Sequence, residues 1–175
     1  IVFLLISLTL FCSISYLEKP ELIKINFYSL SRIFNRKYLA FAFKDWNELK
    51  GRYCTVKYKN GDQSSALIVL SQAEEVYEQL TDRYQLFKLP LPLTVIIYPS
   101  SEELNSSLGW SAEESALGAY QAGLIRLLSP SAYLPGVSSE QLEEVYRNNG
   151  PLIHEFTHLL VDYKAGGNYP RWFTE

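Results

Sequence analysis

Methionine is absent from this chain of 175 residues, and histidine and cysteine occur only twice each. Two cysteines, Cys12 in an apolar stretch and Cys54 far downstream, exclude both a disulfide-stapled scaffold and a cysteine-based zinc site. Cys54 alternates with Val56 and Tyr58 in a strand-like run at 52–58, so a small buried hydrophobe is expected there, with no disulfide to Cys12. A basic excess is also lacking. The net charge is −3, the isoelectric point is near 5.5, and no basic stripe with interleaved aromatics occurs, which argues against nucleic acid as a partner. There is no low-complexity tract and no internal repeat. With no methionine to mark a start and an acidic residue, Glu175, reached inside a helical pattern, the native chain is expected to be longer at both ends.

What the chain does have is apolar content: 47% hydrophobic and 14% aromatic residues, 13 of them tyrosines, enough for one sizeable core. Part of it is concentrated at 1–17, an almost uninterrupted apolar run closed by Glu18-Lys19-Pro20. Its length fits either a signal peptide, with Ser13 and Ser15 as small residues for cleavage, or a membrane anchor at the short limit for spanning. Residues 18–45 read as a membrane-proximal segment. Within them, 22–43 mixes Ile, Phe and Tyr with Lys24, Arg32, Arg36 and Lys37, as an interfacial amphipathic helix or a linker. The globular part is then 46–175.

Within it a strand is expected at 52–58, ended by Asn60-Gly61-Asp62, and a helix at 64–86 capped by Ser64-Ser65. A buried strand at 93–98 between Pro92 and Pro99 leads into a short helix from Ser100 to Gly109. A strand at 117–127, a Pro/Ser-rich loop at 129–139 and a helix at 140–147 follow. Strands followed by a helical section indicate an α+β domain.

The chemistry lies in the next helix, expected from 151 to 165. Asn149-Gly150-Pro151 would start it and Gly166-Gly167 stop it. Leu152, Ile153, Phe156, Leu159, Leu160 and Val161 would bury one side. Both histidines of the chain lie in it, as His154-Glu155-Phe156-Thr157-His158. A spacing of four puts the two imidazoles one turn apart on a single face, where they can grip one Zn²⁺. Glu155, rotated by roughly 100°, would flank the metal as a proton acceptor. This is the HExxH pattern of zinc metallopeptidases. A two-histidine site needs a third protein ligand and a vacant position for water. After the glycines the chain reads Asn168-Tyr169-Pro170-Arg171-Trp172-Phe173-Thr174-Glu175, a second helix start with an acid a turn and a half beyond its proline.

Taken together, His154, Glu155, His158 and Trp172-Phe173-Thr174-Glu175 resemble the gluzincins, and more narrowly the peptidase MA-like family of bacterial membrane-associated or exported proteins. The resemblance implies a zincin-like α+β domain with a small mixed sheet and an active-site helix, over 46–175 and continuing past its last residue. It implies Zn²⁺ held by His154, His158 and Glu175, Glu155 as general base, and a peptide or protein substrate. It also implies a membrane-anchored or secreted, extracytoplasmic location. The segment 117–128 takes the place of the edge strand above the metal; Gly118, Ala119, Ala122 and Gly123 either admit a substrate backbone or bend an ordinary hairpin. Tyr120 and Tyr169 are candidates for the oxyanion donor, and Asp162 is either a solvent-facing acid or a carboxylate that orients an imidazole. The competing readings are a catalytically inactive binding module that keeps the fold, and a membrane-tethered scaffold with incidental histidines.

Overall fold

The structure, a computed structural model, describes residues 20–84, 89, 91–111 and 113–169. The apolar run at 1–17 and the expected ligand Glu175 lie outside the described residues. Among those residues, no helix is long and apolar enough to cross a membrane.

Eleven elements follow one another among the described residues: α1 (Pro20–Ala42), β1 (Asn47–Lys50), β2 (Cys54–Tyr58), α2 (Gln63–Tyr84), β3 (Leu93–Tyr98), α3 (Ser101–Leu108), β4 (Gly118–Gln121), β5 (Leu124–Leu128), α4 (Pro130–Tyr133), α5 (Ser139–Asn149) and α6 (Leu152–Ala165). The five strands form one mixed sheet in the order β1-β2-β3-β5-β4. Its centre is parallel, with Val56 opposite Val95 and Val95 opposite Ile125. Both edges are antiparallel, so the class is α+β with a five-stranded sheet.

The period-2 alternation of strands divides the core in two. Val56, Val95, Ile97, Ile125 and Leu127 face one side and pack with Val69, Ala73 and Val76 of α2 and with Leu152, Phe156 and Leu159 of α6. Ile96, Tyr98, Leu124 and Leu128 face the other and meet Leu104 of α3 and Leu39 of α1. Each large apolar side chain so buried contributes roughly 1.5–3 kcal/mol. Cys54, Val56 and Tyr58 are buried as the alternation implies, and burial pushes the Cys54 thiol up to about 12.

Several local expectations differ from the structure. The strand β1 was not legible, because Asn-Glu-Leu-Lys has poor strand propensity and only Leu49 packs inward. Helix α2 begins at Gln63; its first turn closes on the Asp62 carbonyl, while Ser65 is buried inside the helix instead of capping it. The continuous strand expected at 117–127 is a hairpin, β4 turning into β5 through Ala122 and Gly123, both at positive φ (44° and 88°). Two positive φ values in a two-residue loop suit the right-handed twist of the strands, but the usual cue is Asn-Gly, not Ala-Gly. Helix α3 conforms: Ser100 accepts from the Glu103 N–H, and Gly109 closes it in the left-handed region.

Candidate functional site

Helix α6 carries the paired histidines at its middle. Pro151 sits at its N-cap position, one residue before the first helical residue, and Asn149 belongs to the preceding helix. Gly166, at φ 60°, ends α6 in the left-handed conformation that glycine adopts without strain. Leu152, Phe156 and Leu159 are buried in the core with the strand residues and Leu160 is buried as well, whereas Ile153 is 51% exposed, Val161 is only partly buried and His154 is exposed. The apolar stripe is therefore narrower than the run of hydrophobic residues, and the ring of His154 stays on the open side.

On that side the two imidazoles converge. His154 Nε2 and His158 Nε2 lie 2.8 Å apart, with the rings edge to face at 84°. Two nitrogens each ~2.1 Å from one tetrahedral zinc would be about 3.4 Å apart. A small rotation about the side-chain torsions covers the difference, so the pair fits two ligands of a single cation. Among the described residues no group of three or more His, Cys, Asp or Glu side chains converges to hold a metal. The expected third ligand, Glu175, is outside them.

Glu155 points the other way from solvent. It is buried against the edge strand β4, where an alanine methyl at Gly118 would stand 3.1 Å from its Cγ and its Oε1. The backbone N–H of Tyr120 donates to its carboxyl, but loss of water outweighs that bond and raises the carboxyl from 4.5 to about 7. A carboxyl at about 7 exchanges protons near neutral pH, as a general base and acid must. Gly118 is thus small because the Glu155 side chain occupies its space, and Ala122 and Gly123 are spent on the hairpin turn. Gly118→Ala is expected to cost about 1–3 kcal/mol of stability by crowding Leu127 and Glu155. Chemical denaturation measures this; an unchanged midpoint would mean Glu155 is not held against β4.

Asp162, one turn beyond His158, is fully buried and not a solvent-facing acid. The Nε of Arg32 in α1 lies 3.2 Å from its Oδ2, and Arg32 Nη2 donates to its Oδ1 and to its backbone carbonyl, each at 3.3 Å. The Tyr120 hydroxyl donates to the same carboxylate and accepts from the Gly123 N–H at 2.9 Å. Tyr28 of α1 is hydrogen-bonded to Asp162 and to Tyr169. Burial raises the Tyr120 hydroxyl well above its ordinary value and Asp162 raises it further, so it stays protonated and committed to Asp162. Of the two tyrosines considered as oxyanion donors, Tyr120 is engaged in this cluster and Tyr169 is tied to Tyr28 at its margin.

The cluster joins three segments distant in sequence: α1, the β4–β5 hairpin and the end of α6. No sequence pattern pairs Arg32 with Asp162, 130 positions away. Comparisons with protein-family models, with curated proteins and with solved structures gave no match to this chain.

Proposed function

We propose that this protein is a zinc-dependent peptidase of the gluzincin type, with a zincin-like fold. The observation that carries the reading is the convergence of two imidazole nitrogens, 2.8 Å apart, on the helix that also buries Glu155. The five-stranded mixed sheet, with a short antiparallel edge strand packed on that helix, supports it.

His154 and His158 would hold the zinc, with Glu175 as the third ligand. Zinc, when bound, supplies a Lewis acid that polarises the scissile carbonyl and lowers the pKa of water toward ~7. Glu155 removes a proton from the attacking water and delivers it to the leaving amine. Desolvation by β4 suits Glu155 to both roles, because a carboxyl with its ordinary pKa would be a poor acid at neutral pH. The Tyr120 N–H fixes the carboxyl, and Gly118 leaves it room. Strand β4 lies at the end of the sheet order, where an extended peptide can add by backbone hydrogen bonds. An extracytoplasmic setting, membrane-anchored or secreted, belongs to the same proposal and rests on the apolar sequence at 1–17.

The test is metal analysis of the intact protein together with hydrolysis of an unstructured protein such as casein. About one zinc per chain is expected, lost in His154→Ala and in His158→Ala, with hydrolysis abolished by a chelator and restored by zinc. Zinc bound without hydrolysis would leave the inactive binding module. Wild type that binds no zinc at micromolar metal would overturn the proposal.

A further inference from the structure

Helix α1 has two opposed faces. Leu39 is buried in the core, Arg32 reaches Asp162, and Asn35 donates to the Ala122 carbonyl. The opposite side carries Phe27, Leu30, Phe34 and Phe41, exposed by 72, 64, 69 and 75%. At ~100° per residue these four fall within an arc of roughly 60°, with Tyr38 at its border. Ile33 is exposed on the same helix outside this arc, and the remaining exposed large apolar residues, such as Leu67, Trp110 and Ile153, are scattered over different elements, as single exposed hydrophobes usually are. A contiguous stripe of this kind marks an interaction surface.

Two observations say what covers it. The apolar run at 1–17, of membrane-inserting composition, ends three residues before α1 begins at Pro20. A bilayer that holds this run has α1 at its surface. The second is charge. Residues 20–44 carry five basic residues against one acidic in a chain whose net charge is −3, and four of the five remain once Arg32 is paired with Asp162. The excess suits anionic headgroups.

We infer that α1 is an interfacial helix, its Phe27/Leu30/Phe34/Phe41 face immersed in an anionic lipid surface while Arg32 fastens the globular domain through Asp162. Aromatic and aliphatic side chains on one face with basic residues beside them are the composition such helices use. The helix is 23 residues long and lies in the plane of the headgroups; it is not itself a span. The catalytic reading is not needed for this inference, and each can fail without the other.

The test uses the full chain with Cys12→Ser, in vesicles of phosphatidylcholine with phosphatidylglycerol. Nitroxides are attached at single cysteines replacing Leu30, Phe34, Phe41 or, as a control, Leu67 of α2. The buried Cys54 thiol stays unlabelled in the folded protein. Labels at 30, 34 and 41 are expected to gain oxygen and lose nickel-complex accessibility relative to 67, to a depth of ~5–10 Å. Water accessibility at those three sites equal to that at 67 overturns the inference. Mutual dipolar broadening of the labels without immersion overturns it in favour of a second copy. Equal immersion in phosphatidylcholine alone overturns the anionic assignment.

Discussion

Replacing Glu155 by glutamine is expected to lower hydrolysis by about 10²–10⁴-fold while raising the stability of the metal-free protein by roughly 3 kcal/mol at pH 8. In the proposed mechanism the rate effect follows from removing the buried carboxyl that takes the proton from water. Glutamine keeps the shape and can still accept from the Tyr120 N–H, so the proposed zinc binding is expected to be retained. The stability effect has the opposite sign because burying an ionisable carboxyl carries a thermodynamic cost. Its folded pKa, about 7, lies above the ordinary 4.5. Folding therefore prefers the neutral carboxyl. That preference is fully satisfied below 4.5, and stability is lost progressively as pH rises toward 7, with no further loss above it. Glutamine is neutral throughout. Denaturation in a chelator should show the two proteins nearly equal at pH 4 and well separated at pH 8. A gap that does not change with pH would mean that the carboxyl is not desolvated. Equal hydrolysis by both proteins would remove Glu155 from the chemistry altogether.

The second large effect concerns a residue with no part in the proposed chemistry. Asp162→Ala is expected to cost about 3–5 kcal/mol, because it leaves the guanidinium of Arg32 without its carboxylate in a site where that side chain is only 14% exposed. The same change strips the Tyr120 and Tyr28 hydroxyls of their shared acceptor. Arg32→Leu alone leaves the opposite fault, a buried carboxylate with no cation. The double variant Asp162→Ala/Arg32→Leu removes both charges, and it should be more stable than the sum of the single losses implies. A double-mutant cycle by chemical denaturation measures the coupling. Strict additivity would mean that α1 is not fastened to α6 through this pair.

His154 and His158 illustrate what was legible and why. Their spacing, together with helical punctuation by Pro151 and Gly166, needs no partner elsewhere in the chain to put two imidazoles on one face. Strand β3 between prolines and helix α3 between Ser100 and Gly109 are legible for the same reason. The hairpin was not. Ala122 takes a positive φ only because β4 and β5 are already paired around it, so tertiary pairing overrides what an alanine prefers alone. Ile153 was placed inside by its hydrophobicity, yet α6 offers the sheet a face too narrow to include it.

By itself, then, the sequence determined the elements whose causes are local: an α+β succession, the helix with its two histidines and one glutamate, a buried Cys54, and an apolar, locally basic approach to that domain. Only the tertiary structure decided what depends on distance in space. It buried Glu155 on Gly118 and so raised its proton affinity. It turned Asp162 from a surface acid into the anchor of Arg32, and it took the Tyr120 hydroxyl for that anchor. The physical reason is that desolvation and ion pairing are set by whichever side chains the folded sheet brings alongside, and spacing along the chain carries no record of them.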